Sequence, residues 1–114
     1  MPFIQTKTNL TITREKEEVL KKRYGKAIEC LPGKTENWLM LDFEDGRNMY
    51  FRGEYEKDLA MLDVKVYGGA DREAFERLTK ELSTILEEEL GIHPDGIYIT
   101  FEPIEAWGWN GGLL

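Results

Sequence analysis

The chain has 114 residues, 41% apolar and 32% charged, with 22 acidic against 15 basic side chains and a net charge of −7. That is one compact domain's worth of folded chain, and the acidic balance without a basic cluster argues against a nucleic-acid partner. No run approaches about 18 apolar residues and no charged, apolar leader opens the chain, so no membrane association is expected. The expected location is the cytoplasm, with leaderless secretion left open.

The chain begins Met1-Pro2-Phe3-Ile4, and a strand pattern starts at once. Proline is small enough for the initiator methionine to be removed ahead of it, which would leave a secondary amine at the head of a strand. From Phe3 to Thr8 the faces alternate, with Phe3, Gln5 and Lys7 on one and Ile4, Thr6 and Thr8 on the other. Thr13 is placed to cap a helix whose apolar stripe is Leu20, Tyr24, Ala27, Ile28 and Leu31, and Pro32-Gly33 ends it. The helix carries Cys30, the only cysteine, which excludes an intrachain disulfide and a cysteine zinc cluster. A second strand is predicted over Trp38 to Phe43. Asp45-Gly46 is a two-residue turn signal, with Asn48 to Phe51 returning as a short hairpin arm.

Leu59 to Tyr67 is the next strand, broken by Gly68-Gly69. Asp71 can cap a second helix with the stripe Phe75, Leu78, Leu82, Ile85, Leu86 and Leu90, stopped by Gly91. His93-Pro94-Asp95-Gly96 forms a turn. His93 is the only histidine, so the usual histidine-rich metal sites are excluded within one chain. Gly96 to Phe101 is the partner strand, and Trp107 to Trp109 a last short one.

Shifted by 58 positions, the chain matches itself. Arg14-Glu15 falls on Arg72-Glu73, Leu20 on Leu78, Gly33 on Gly91, and Leu39 to Glu44 on Ile97 to Glu102. Each half reads as one β-α-β unit, so the predicted domain is a single one over residues 1–114 with two pseudo-repeats, about 1–57 and 58–114. The predicted fold is α/β (α+β): a four-stranded mixed sheet with both helices on one face. The other face is expected to carry apolar groups, because the strands do not read as polar on alternate positions. A chain this small cannot cover such a face internally, so an oligomer is expected.

Met1-Pro2 leading into a strand, Gly33-Lys34, Gly68-Gly69-Ala70, Pro94-Asp95-Gly96-Ile97-Tyr98-Ile99 and Gly108-Trp109-Asn110 occur in this order in a duplicated architecture. In this the chain resembles the tautomerase superfamily, in its macrophage migration inhibitory factor and D-dopachrome tautomerase branch, over nearly its whole length. The resemblance implies a trimer with the sheets lining its inside and active sites at the subunit boundaries. It implies a cofactor-free keto–enol tautomerase, an isomerase of small α-keto acids such as phenylpyruvate, with dopachrome as an artificial substrate. Pro2 would be the catalytic base, and Lys34 would meet the substrate carboxylate or oxyanion. Val64 matches a position whose backbone donates to substrate. Tyr98 and Trp109 match aromatic groups lent by a neighbouring subunit. The same resemblance admits another role, a cytokine-like binding protein with vestigial catalysis.

Three departures bear on these expectations. Thr100 stands where the cytokine members carry asparagine, and its hydroxyl can still donate one hydrogen bond. Lys65 adds a charge beside the expected site, so substrate preference can have moved. The Cys-x-x-Cys linked to thiol–disulfide activity is missing from the stretch Glu56 to Leu59, and that activity is not expected.

Overall fold

In the first strand every second side chain is buried, and that alternation sets up the architecture. The computed structural model describes residues 1–114. Strand β1 (Pro2–Thr8) is followed by α1 (Arg14–Ala27), β2 (Met40–Glu44), β3 (Ala60–Tyr67), α2 (Arg72–Leu90), β4 (Ile97–Ile104), β5 (Gly108–Trp109) and β6 (Gly112–Leu113). The first four strands form one sheet in the order β2-β1-β3-β4. β1 runs parallel to β2 and antiparallel to β3, and β3 runs parallel to β4. This is the mixed sheet of two β-α-β units.

The helices start where their capping residues dictate. The Thr13 hydroxyl accepts the Lys16 N–H at 3.1 Å, and an Asp71 carboxylate oxygen accepts the Ala74 N–H at 2.7 Å. Each contact satisfies a backbone donor that has no partner within its helix. Helix α1 tightens into a short 3₁₀ turn over Ile28–Cys30 ahead of Pro32, whereas α2 ends on Gly91 at φ 70°, a left-handed conformation that glycine adopts without steric cost. Both predicted stripes face the sheet. Leu20, Tyr24, Ala27, Ile28 and Leu31 of the first, and Leu78, Leu82, Ile85 and Leu86 of the second, meet Ile4, Leu62, Val64 and Val66 in one core. Its one buried hydroxyl pair, Thr6 with Tyr24, closes at 2.9 Å, so neither group is left unsatisfied. Ion pairs from Lys16 and Arg23 to Glu89, and from Arg23 to Glu88, tie the helices together on their outer side.

Two expectations need correcting. The face away from the helices is not mainly apolar, because the strands do alternate. It carries Gln5, Lys7, Asp42, Glu44, Asp63, Lys65, Thr100 and Glu102, with Phe3, Met40, Met61, Tyr67 and Tyr98 among them. Many of these polar groups pair across strands: Gln5 with Asp42 and Glu44, Lys7 with Asp63, Thr100 with Asp63, and Lys65 with Glu102.

The hairpin arm over Asn48–Phe51 does not form either. The loop after β1 captures the Asp45-Gly46 turn instead. Asp45 accepts the Ile12 N–H at 2.7 Å, the Gly46 N–H goes to the Leu10 carbonyl, and the Arg47 N–H goes to the Thr8 carbonyl. With those donors spent, the chain reverses later, between Phe51 and Glu54, through Arg52 and Gly53 at positive φ. The terminal segment predicted as one strand over Trp107–Trp109 is a tight hairpin, β5 on β6, turned by Asn110 and Gly111 at φ 53° and 79°.

Candidate active site

Strand β1 begins at one end of the sheet, and the loop before β2 and the C-terminal hairpin gather around that end. Together they line an open groove of about 680 Å³ formed by Met1, Pro2, Phe3, Asn37, Trp38, Leu39, Met40, Lys65, Trp107, Gly108 and Trp109. The Trp38 and Trp109 rings meet edge to face at 5.0 Å, a favoured geometry for aromatic pairs. Pro2 is buried at the head of β1, paired with Val66.

Lys34 comes from the loop between α1 and β2. Its ammonium donates to the Tyr67 carbonyl at 3.1 Å, while the Tyr67 N–H donates to the Met1 carbonyl at 2.9 Å. The backbone of Tyr67 thus holds the chain start and the lysine together. Burial, and then the charge and hydrogen bonding of Lys34, hold the Met1 amine below its ordinary value of 8.0. An amine shifted that way keeps more of its free-base form at neutral pH, the form that can take up a proton.

Of the sequence-predicted residues, Pro2, Lys65 and Trp109 line this groove, and Lys34 stands beside its amine. The expectation that a neighbour lends Trp109 needs correcting: the C-terminal hairpin carries it into the same chain's groove, against Trp38.

Val64, Tyr98 and Thr100 lie elsewhere. Val64 is 1% exposed, with its side chain in the core and its backbone in a strand paired on both edges, to Ile4 and Phe101. Tyr98 is 61% exposed and pairs with Met61, which pairs with Lys7. That puts it five residues, about 17 Å, along the sheet from Pro2. There its ring packs edge-on against Phe51 at 5.6 Å. The Thr100 hydroxyl donates to Asp63 at 2.8 Å.

Sequence reasoning missed Asn37 and Trp38 as site residues because Trp38 was assigned to a strand. It sits instead at the end of a 3₁₀ turn, Glu36–Trp38, with its ring half exposed. The available signal was its position just past Gly33-Lys34, where a loop between helix and strand places side chains at the sheet's end. A second groove, also about 680 Å³, lies between α2 and β4 over the stacked Phe75 and Phe101 rings. It brings no amine, histidine or thiol to its walls. Cys30 lies away from both grooves, and burial followed by Glu81 pushes its thiol up. His93 serves its turn by accepting the Asp95 N–H.

The fold and the groove together define a tandem β-α-β protein with a chain-start amine, a lysine and aromatic rings gathered at one end of the sheet. The family description for macrophage migration inhibitory factor (MIF) matches residues 1–114. The chain belongs to the MIF family. MIF2 from Leishmania major superimposes with a TM-score of 0.93 at 26% identity, over 100% of this chain and 97% of that one. A macrophage migration inhibitory factor homologue from Prochlorococcus marinus gives 0.86 at 31%, over 97% of each chain. Macrophage migration inhibitory factor from Toxoplasma gondii shares the fold, with a TM-score of 0.90 at 23% identity over 98% of this chain and 99% of that one. No curated protein matches the chain by sequence.

Proposed function

We propose that this chain is a cofactor-free keto–enol tautomerase of small 2-oxo acids, with Pro2 as its general base once Met1 is removed. The observation that carries the proposal is the position of Pro2, buried at the head of β1 in a groove walled by Trp38 and Trp109, with Lys34 reaching the chain start beside it. The Pro2 nitrogen takes a proton from the carbon beside the substrate's keto group. The C–H electron pair becomes the new C=C bond, and charge develops on oxygen. The Lys34 ammonium stabilises that oxygen or holds the carboxylate. The prolyl ammonium then delivers its proton to the oxygen, giving the enol, and the reverse sequence restores the ketone.

The working unit in this proposal is a trimer in the cytoplasm. Tyr98 is too far along the sheet to reach its own Pro2. It stands exposed with Phe51 at the opposite end, as a residue lent to a neighbour's groove would. Thr100 lies on the same strand face and accompanies it.

Intact mass and alkylation by a 2-oxo-alkynoate test the proposal together. Loss of the Met1 mass, a single adduct mapped to Pro2 and loss of phenylpyruvate ketonisation in step with modification are expected. A chain that retains Met1, or that stays active with Pro2 modified, removes Pro2 from the mechanism.

A further inference from the structure

The groove wall holds a cation, besides the neighbouring Lys34, that the proton transfer does not use. Lys65 lies directly across the β1–β3 pair from Phe3 and lines the groove alongside Pro2. Its ion-pair partner is Glu102 on the adjacent strand, at a loose 3.6 Å, with side chains 43% and 64% exposed. An exposed pair of that kind contributes little to stability, so an incoming carboxylate can replace Glu102 at small cost. Lys34 has no carboxylate of its own. It is held by the Tyr67 carbonyl, two residues along β3 from Lys65.

One carboxylate and one developing oxyanion on adjacent carbons are served by one ammonium and the groove's own donors. The second ammonium is held only by the exposed Glu102, so it is free to take a further negative group on a protein of net charge −7 that otherwise repels anions. We propose that Lys65 is a specificity-determining residue that receives a second carboxylate, so that the substrates of this groove are dianionic 2-oxo acids. The proposal rests on the tautomerase reading for its chemistry but not for its recognition. The paired Trp38 and Trp109 rings then give the carbon chain an apolar wall between the two charged ends.

Two ligands of equal chain length isolate the second charge: 2-oxoglutarate and 2-oxopentanoate, titrated against the intrinsic fluorescence of the groove tryptophans. The native protein should bind 2-oxoglutarate about two- to fivefold more tightly, the range of one exposed ion pair. Lys65→Met should abolish that ratio, Glu102→Gln should widen it, and added salt should narrow it. A native ratio near one, or a ratio that survives Lys65→Met, overturns the proposal. Binding is read without turnover. A protein that prefers the dianion through Lys65 but fails to tautomerise either acid would therefore sink the Pro2 mechanism and leave the dianion site standing.

Discussion

The start of β1 and the start of β3 are the same place in two copies of one unit, and only one of them is open. Pro2 corresponds to Ala60 at the constant offset of 58. Ala60 is 3% exposed and paired on both edges, to Thr8 and Ile97, and the residue before it is fastened by the Thr8 hydroxyl and the Asn9 side chain. Lys34 corresponds to Ile92, which is fully buried. Trp38 corresponds to Gly96, where a Cβ would come within 2.6 Å of the Asp58 carbonyl. The second unit has thus closed, by packing, the end that the first leaves as a groove with an amine. The repeat supplies a scaffold, and the proposed chemistry lies where the repeat is broken.

The sharpest way to break the comparison is at Pro2. Pro2→Gly should lower phenylpyruvate ketonisation by about 10²–10⁴-fold, the usual contribution of a positioned base, while the folded spectrum is kept. Equal rates would make the two strand starts chemically alike. The scaffold should behave in the opposite, symmetric way. Leu20 and Leu78 are related by the offset and both fully buried, so Leu20→Ala and Leu78→Ala should each cost about 2–5 kcal/mol in urea unfolding. A cost confined to one unit would show that the halves do not share a core.

The closed end offers a smaller contrast. Gly96→Ala should cost about 1–3 kcal/mol because backbone has to move, whereas Trp38→Ala should change groove binding more than stability. The two helix caps should be interchangeable in energy: Thr13→Ala and Asp71→Ala should each lower stability by about 1 kcal/mol in thermal or urea unfolding. The smallest effect is on pH. The Lys34 charge disfavours a second positive charge beside it, as its effect on the Met1 amine shows, so Lys34→Met should raise the proton affinity of the Pro2 amine left after Met1 removal. The acidic limb of the rate profile should then move to higher pH, so less of the base is free near neutrality. An unmoved or acid-shifted limb would detach Lys34 from the amine.

Much of the fold was legible locally. The helix stripes, the caps at Thr13 and Asp71, and the Gly91 stop are each decided within a few residues of chain, so periodicity and turn chemistry find them. Asp45-Gly46 failed for a physical reason. A turn signal reports what the chain can do alone, and the Thr8–Ile12 segment, distant in sequence, offered better hydrogen-bond partners. Trp38 escaped for a related reason: nothing in its neighbourhood distinguishes the end of a short 3₁₀ turn from the beginning of a strand.

Alternating side chains, duplicated capping signals and a proline directly after Met1 follow from the amino-acid order, because strand and helix periodicities are properties of neighbouring residues. Which residues meet at the open end does not. Trp109 reaches its own chain's groove only because the C-terminal hairpin folds back there. Tyr98 is carried to the far end because β4 runs antiparallel to β1. Val64 is buried because it lies on the face of β3 that the helices cover. Those placements depend on strand order and direction, which are settled by packing both helices onto one face and pairing strands far apart in the chain.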